Sequence, residues 1–142
     1  MTEEDFELER FVSAQAQVYD RVAAELQAGA KRSHWMWFIF PQIEGLGSSP
    51  MAQRYAIRSR REAVAYLAHP LLGSRLTECT RLMLSHPDKT AHDILGSPDD
   101  MKFRSSMTLF AAVSEKGSPF ERALQVFHGG ERDQKTIARI GP

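Results

Sequence analysis

The chain has 142 residues, 42% hydrophobic and 25% charged, which fits a single mainly helical domain spanning 1–142 that buries roughly 70% of its unfolded surface. Eighteen basic residues balance eighteen acidic ones, which excludes a global field drawing the protein onto nucleic acid or a membrane and leaves only local patches. The single cysteine, Cys79, excludes an internal disulfide and fits a reducing compartment.

The start, MTEEDFELER, is acidic and lacks the basic-then-apolar pattern of a secretory leader. The longest strongly apolar run, residues 35–41, is far too short to span a bilayer. The expectation is a soluble, cytoplasmic, all-α protein of about six to eight short helices, with residues 35–40 as the one strand candidate.

The first predicted helix carries Leu8, Phe11, Val12, Val18, Tyr19, Val22 and Leu26 on one side and stops at Gly29. Gln15 interrupts that stripe. A buried amide needs up to four hydrogen bonds satisfied, so Gln15 either ties two elements together or faces a ligand.

Residues 33–42, SHWMWFIFPQ, are the most unusual segment and hold both tryptophans. Their apolar side chains point all ways round, whether wound as helix or extended. Such a segment is either packed on every side or forms an aromatic wall for a planar ligand.

Helix starts punctuate the rest. Ser49-Pro50, Ser97-Pro98 and Ser118-Pro119 place a capping hydroxyl before proline at the first helical position. Asp100 and Glu121 follow two of these serines by three residues, and Glu62 follows Ser59 likewise, giving three capping-box patterns. Helix starts are therefore expected near Pro50, Arg60, Pro98 and Pro119. Arg54, Arg58, Arg60 and Arg61 form the one basic cluster, either a solvated face or a hold for phosphate.

Leu72, Leu76, Cys79 and Met83 recur at helical spacing until His86-Pro87, and Phe120, Ala123, Leu124 and Phe127 do so until Gly129-Gly130. Between them, the helix from Pro98 to about Ser114 carries Phe103, Met107, Leu109, Phe110 and Val113 on one broad arc, with Lys102 and Ser106 inside it. Arg104, Ser105 and Thr108 fall on or near the opposite face. An ammonium among core residues must snorkel, pair with a carboxylate such as Asp99 or Asp100, or meet a bound anion.

Other chemistry is absent at the level of motifs. The histidines at 34, 69, 86, 92 and 128 show no metal-ligand spacing, and no nucleotide-binding loop or nucleophile elbow is present, so no metal or cofactor is expected. Cys79 in an apolar stripe reads as an inert core thiol.

The runs Arg10-Phe11, Ala14-Gln15, residues 33–42, Gly45-Leu46-Gly47, Tyr55-Ala56-Ile57, His69-Pro70, Leu72-Gly73, Arg75-Leu76 and residues 105–110 (SSMTLF) resemble an uncharacterised family, the domain of unknown function 1810. Its bacterial members are often labelled calpastatin. The resemblance covers almost the whole chain and implies a mainly helical single domain with no established activity. The label does not suit this chain, because calpain inhibitors of that name are disordered repeats and this composition forms a core.

The matching positions include Gln15, His34, Trp35, Trp37, Gln42, Lys102 and Ser106, which together define a candidate site for a small anionic ligand. Lys102 would meet a phosphate or carboxylate, the indoles would stack a flat group, and His34 is the candidate general base. The alternative is a non-catalytic helical module that holds a protein partner; nucleic acid is disfavoured by the charge balance. The two separate by whether these residues converge on one pocket or are satisfied separately in the core.

Overall fold

A computed structural model describes residues 6–140; residues 1–5, which hold half of the acidic start, lie outside it. Ten helices follow in chain order: α1 (Glu9–Gln15), α2 (Tyr19–Ala28), α3 (Met36–Ile39), α4 (Pro50–Arg54), α5 (Arg60–Ala68), α6 (Leu72–Leu84), α7 (Ala91–Leu95), α8 (Asp99–Ala112), α9 (Pro119–His128) and α10 (Gln134–Ile140). Helix accounts for 62% of the described residues, which contain no strand. One isolated parallel bridge, Ile43 to Ile57, joins two extended stretches.

Ten helices exceed the expected six to eight for identifiable reasons. The predicted first helix breaks between Gln15 and Tyr19, where α1 ends and α2 begins. The aromatic segment is a single helical turn, α3, rather than a strand, and α4 and α7 have five residues each.

Capping explains most of the starts. Ser49, Ser59 and Ser118 each accept the backbone N–H three residues on, and Gly29 closes α2 in the left-handed conformation at φ 73°. Glu62 and Glu121 reach back to the amides of Arg58 and Gly117, one residue before the capping serine. The Ser97 box does not form. Pro98 is itself the N-cap of α8, it follows a cis peptide bond, and no side chain caps that helix. The reciprocal box is instead Thr90 with Asp93, at the start of α7.

The long helices α6 and α8 are the centre of the packing. α8 packs against α5, α7, α9 and α10, while α6 meets α2, α3, α5 and α9. The buried apolar side chains form one cluster. The aromatic segment joins it through Phe40, whose ring meets Phe103 of α8 edge-on at 4.9 Å between centroids.

Because α8 is covered almost all round, its polar residues are buried too. Ser105, Ser106 and Thr108 are all buried. The C-terminal segment covers the face opposite the apolar arc: Arg104 donates to the carbonyls of Glu131 and Arg132, and the amide of Asp133 donates to Thr108 Oγ1 at 2.9 Å. Asp133 also accepts from Ser105 Oγ and from the amide of Thr136, which fixes α10 against α8.

Candidate functional site

A cleft of about 420 Å³ opens between the turn after α3, helix α4, α8 and α10, within the size range of small-ligand sites. Two backbone bonds across the isolated bridge shape it. Ile57 N donates to Gln42 O, and Glu44 N donates to Ile57 O, each at 2.8 Å. They hold residues 42–44 beside residues 55–57, so that Gln42, Glu44 and Tyr55 all line the cleft.

Three of the seven sequence-predicted residues meet there. Trp37, at the outer side of α3, is half-buried and forms part of the wall with Gln42 and Lys102. The Lys102 ammonium lies over the Trp37 ring, 5.8 Å from its centroid, in cation–π range. Lys102 is not enclosed by core residues; its side chain keeps 32% of its exposure and reaches the cleft rim. Its carboxylate partner, Asp99, is 3.9 Å away and is held more closely by Lys31, at 2.9 Å. The ammonium is thus weakly compensated.

The other four lie elsewhere. Gln15 is buried between α3 and α5, where its Nε2 donates to Phe38 O at 2.7 Å and to Tyr66 Oη at 3.3 Å, while Arg75 donates to its Oε1. Trp35 is 1% exposed and donates its indole N–H to Glu25 Oε1 at 2.8 Å. Ser106 is buried without a partner for its hydroxyl, and it is not in the cleft wall. His34 is exposed and likewise outside the wall.

The carboxylate of Glu25 accepts from the amides of Arg32 and Ser33, from Ser33 Oγ and from Trp35. Burial raises its pKa, but the four donors together outweigh that effect and hold the group at about 2. It anchors the segment that leads into α3. Cys79 is buried, and burial raises its thiol to about 12, so it stays protonated as an inert thiol. The arginine cluster splits: Arg54 and Arg58 line one hollow with Arg10, Glu7 and Glu9, where Arg58 pairs with Glu7, while Arg60 donates to Ala112 O.

Arg139 is the site residue that the sequence did not signal. It comes from α10, far along the chain, and lines the cleft with its guanidinium against the loop after α3. Its guanidinium lies so close to Gly45 that a Cβ there would sit 2.2 Å from Cζ. Gly45 also has φ 92°, and this backbone conformation, more than the movable guanidinium, is what favours glycine. Among the described residues neither Arg139 nor the Gln42 side chain has a hydrogen-bond or ion-pair partner. The Gly45-Leu46-Gly47 run, which entered the sequence reading only through the family resemblance, is the signal that could have pointed to a close contact here.

Among the described residues no group of three or more histidine, cysteine or acidic side chains could hold a metal ion, and no helix is long and apolar enough to cross a membrane. No curated protein matches the chain. It is similar to the crystal structure of the conserved hypothetical protein Rv1873 from Mycobacterium tuberculosis, with 52% identity, a TM-score of 0.94, and coverage of 96% of this chain and 98% of that one. The model of the family described as "Protein of unknown function (DUF1810)" matches residues 5–140, and the chain therefore belongs to that family.

Proposed function

We propose that the protein binds a small, flat, anionic molecule in the cleft of Trp37, Gln42, Lys102 and Arg139. One observation carries the reading: a partly exposed Lys102, whose carboxylate partner is 3.9 Å away, and an exposed Arg139 line one concavity with a half-buried indole and the Gln42 amide. A concavity that gathers cations beside an aromatic face is suited to a flat ligand carrying an anionic group. The ring of the ligand packs along Trp37 and Tyr55, its anionic group takes Lys102 and Arg139, and Gln42 fixes its orientation. Glu44, the carboxylate of the wall, is suited to accept from a hydroxyl or amine of the ligand.

The interaction-module reading has less behind it. The exposed large apolar residues Val64, Leu71, Met101 and Val126 come from four different stretches of chain, and scattered single exposures are normal for a soluble surface.

The test is an NMR titration with phenyl phosphate, indole-3-acetate and adenosine 5′-monophosphate, each set against its uncharged counterpart. The anions should shift the Trp37 indole and the Gly45 and Gly47 amides, and the uncharged molecules should not. Lys102→Met should abolish the response with an equal or higher melting temperature, because Asp99 keeps its closer partner Lys31. Equal responses to charged and uncharged probes, or none to any of the three anions, would sink the reading.

A further inference from the structure

We propose that the cleft continues into a second anion subsite at Lys135, and that its ligand is an aromatic molecule carrying two anionic groups in series, of the nucleoside diphosphate type. This inference rests on the ligand-binding reading above. A second hollow, of about 210 Å³, is lined by Gln42 and Lys102 together with Lys135, Asp133, Ser105 and Met101. Gln42 and Lys102 line both hollows, so the two adjoin at these side chains.

Helix α10 supplies one cation to each hollow. Lys135 and Arg139 are four residues apart on that helix, hence on one face and about 6 Å apart along its axis. Arg139 lines the first hollow and Lys135 the second. Lys135 and Arg139 are both exposed, and among the described residues neither has a hydrogen-bond or ion-pair partner. Lys102, Lys135 and Arg139 therefore line two adjoining hollows.

Two carboxylates line them as well, Glu44 in the first hollow and Asp133 in the second. Asp133 is committed to the protein: its Oδ2 accepts from Ser105 Oγ, Thr136 N and Thr136 Oγ1. Those bonds fix the start of α10 against α8 and so place the backbone of Lys135 and Arg139 beside the two hollows. Three cations against two carboxylates leave the two hollows together net positive. The aromatic wall and Arg139 belong to the first hollow, Lys135 to the second, and Lys102 to both. A ring with one anionic group engages Lys102 and Arg139 and leaves Lys135 idle; a second anionic group directed toward the second hollow comes within reach of the flexible Lys135 side chain.

Calorimetry on the full chain, at low salt with a chelator present, separates the possibilities. Adenosine, its 5′-monophosphate and its 5′-diphosphate are titrated, with the uridine series in parallel. In the wild type the diphosphate should bind roughly tenfold tighter than the monophosphate, the effect of one further charge-assisted contact. In Lys135→Met that ratio should collapse to about one with an unchanged melting temperature, and Lys135→Arg should restore it. A diphosphate that binds no tighter than the monophosphate, or a Lys135→Met variant that retains the ratio, overturns the second subsite and leaves the first standing. If none of the four phosphates binds, the cleft reading falls and this inference with it.

Discussion

Trp35 is held by Glu25: the indole N–H donates to Oε1 across 2.8 Å, inside a carboxylate that three other donors also satisfy. The bond joins the end of α2 to the start of α3, so it sets the angle at which Trp37 enters the cleft wall. Glu25 ionises at about 2, below the ordinary 4.5. A depressed carboxylate stabilises the fold fully above the unfolded value, and that contribution fades as pH falls through the folded one. Urea melts of wild type and Glu25→Gln should differ at pH 7, and the difference should shrink between about pH 4.5 and pH 2. A gap that stays constant over that window would show that the charge is immaterial.

The two tryptophans should behave differently under truncation. Trp35 is 1% exposed, whereas Trp37 is half-buried at the cleft. Trp35→Ala should cost about 3–5 kcal/mol, near the whole stability of a small domain. Trp37→Ala should cost about half as much, since part of its surface is already wet. Urea midpoints give the order. Should Trp37→Ala prove the more damaging, α3 rather than the Glu25 anchor would be the keystone of the segment.

Two serines with the same sequence context should diverge as well. Ser118 accepts the amide of Glu121 at 3.2 Å, so Ser118→Ala should lower stability by about 1 kcal/mol. Ser97 makes no such bond, because Pro98 occupies the cap position. Its change to alanine should fall within about 0.5 kcal/mol of wild type. Equal losses at both positions would mean that Ser97 caps α8 in solution.

Gly45 and Arg139 should be energetically coupled. Gly45→Ala forces a side chain into φ 92° and into the guanidinium, which should cost about 1–2 kcal/mol. Arg139→Ala removes the obstacle but not the backbone strain. The double variant should therefore be more stable than the sum of the single effects implies. Strict additivity in thermal melts would place Arg139 away from the loop.

Local chemistry was legible in the residues themselves. Ser49, Ser59 and Ser118 start helices because a hydroxyl acceptor before proline or an acid satisfies amides that no helix can satisfy internally. Gly29 ends α2 because it alone adopts φ 73° without strain. The apolar stripe of α6 is buried as its spacing implied, and the resemblance to the family is carried by contiguous runs of residues.

What depended on distant contacts was not legible. Ser97 looks like Ser118 in sequence, yet the chain turns into α8 through Pro98. The break between Gln15 and Tyr19 leaves no signal in a stripe that continues across it. Of the site, the sequence singled out Trp37, Gln42 and Lys102 as misfits in an apolar pattern, but equally Gln15 and Trp35, whose polar groups are satisfied within the core. Whether a polar side chain is spent or left over depends on its partners, and Gln15 finds them in Phe38 and Tyr66, Trp35 in Glu25. Arg139 and Lys135 carry no pattern of their own; they face the cleft only because Asp133 pins α10 onto α8. Helix starts and apolar faces are set by residues within about one turn of each other, so the sequence states them directly. A cleft is a relation between surfaces far apart in the chain, and only packing brings them together.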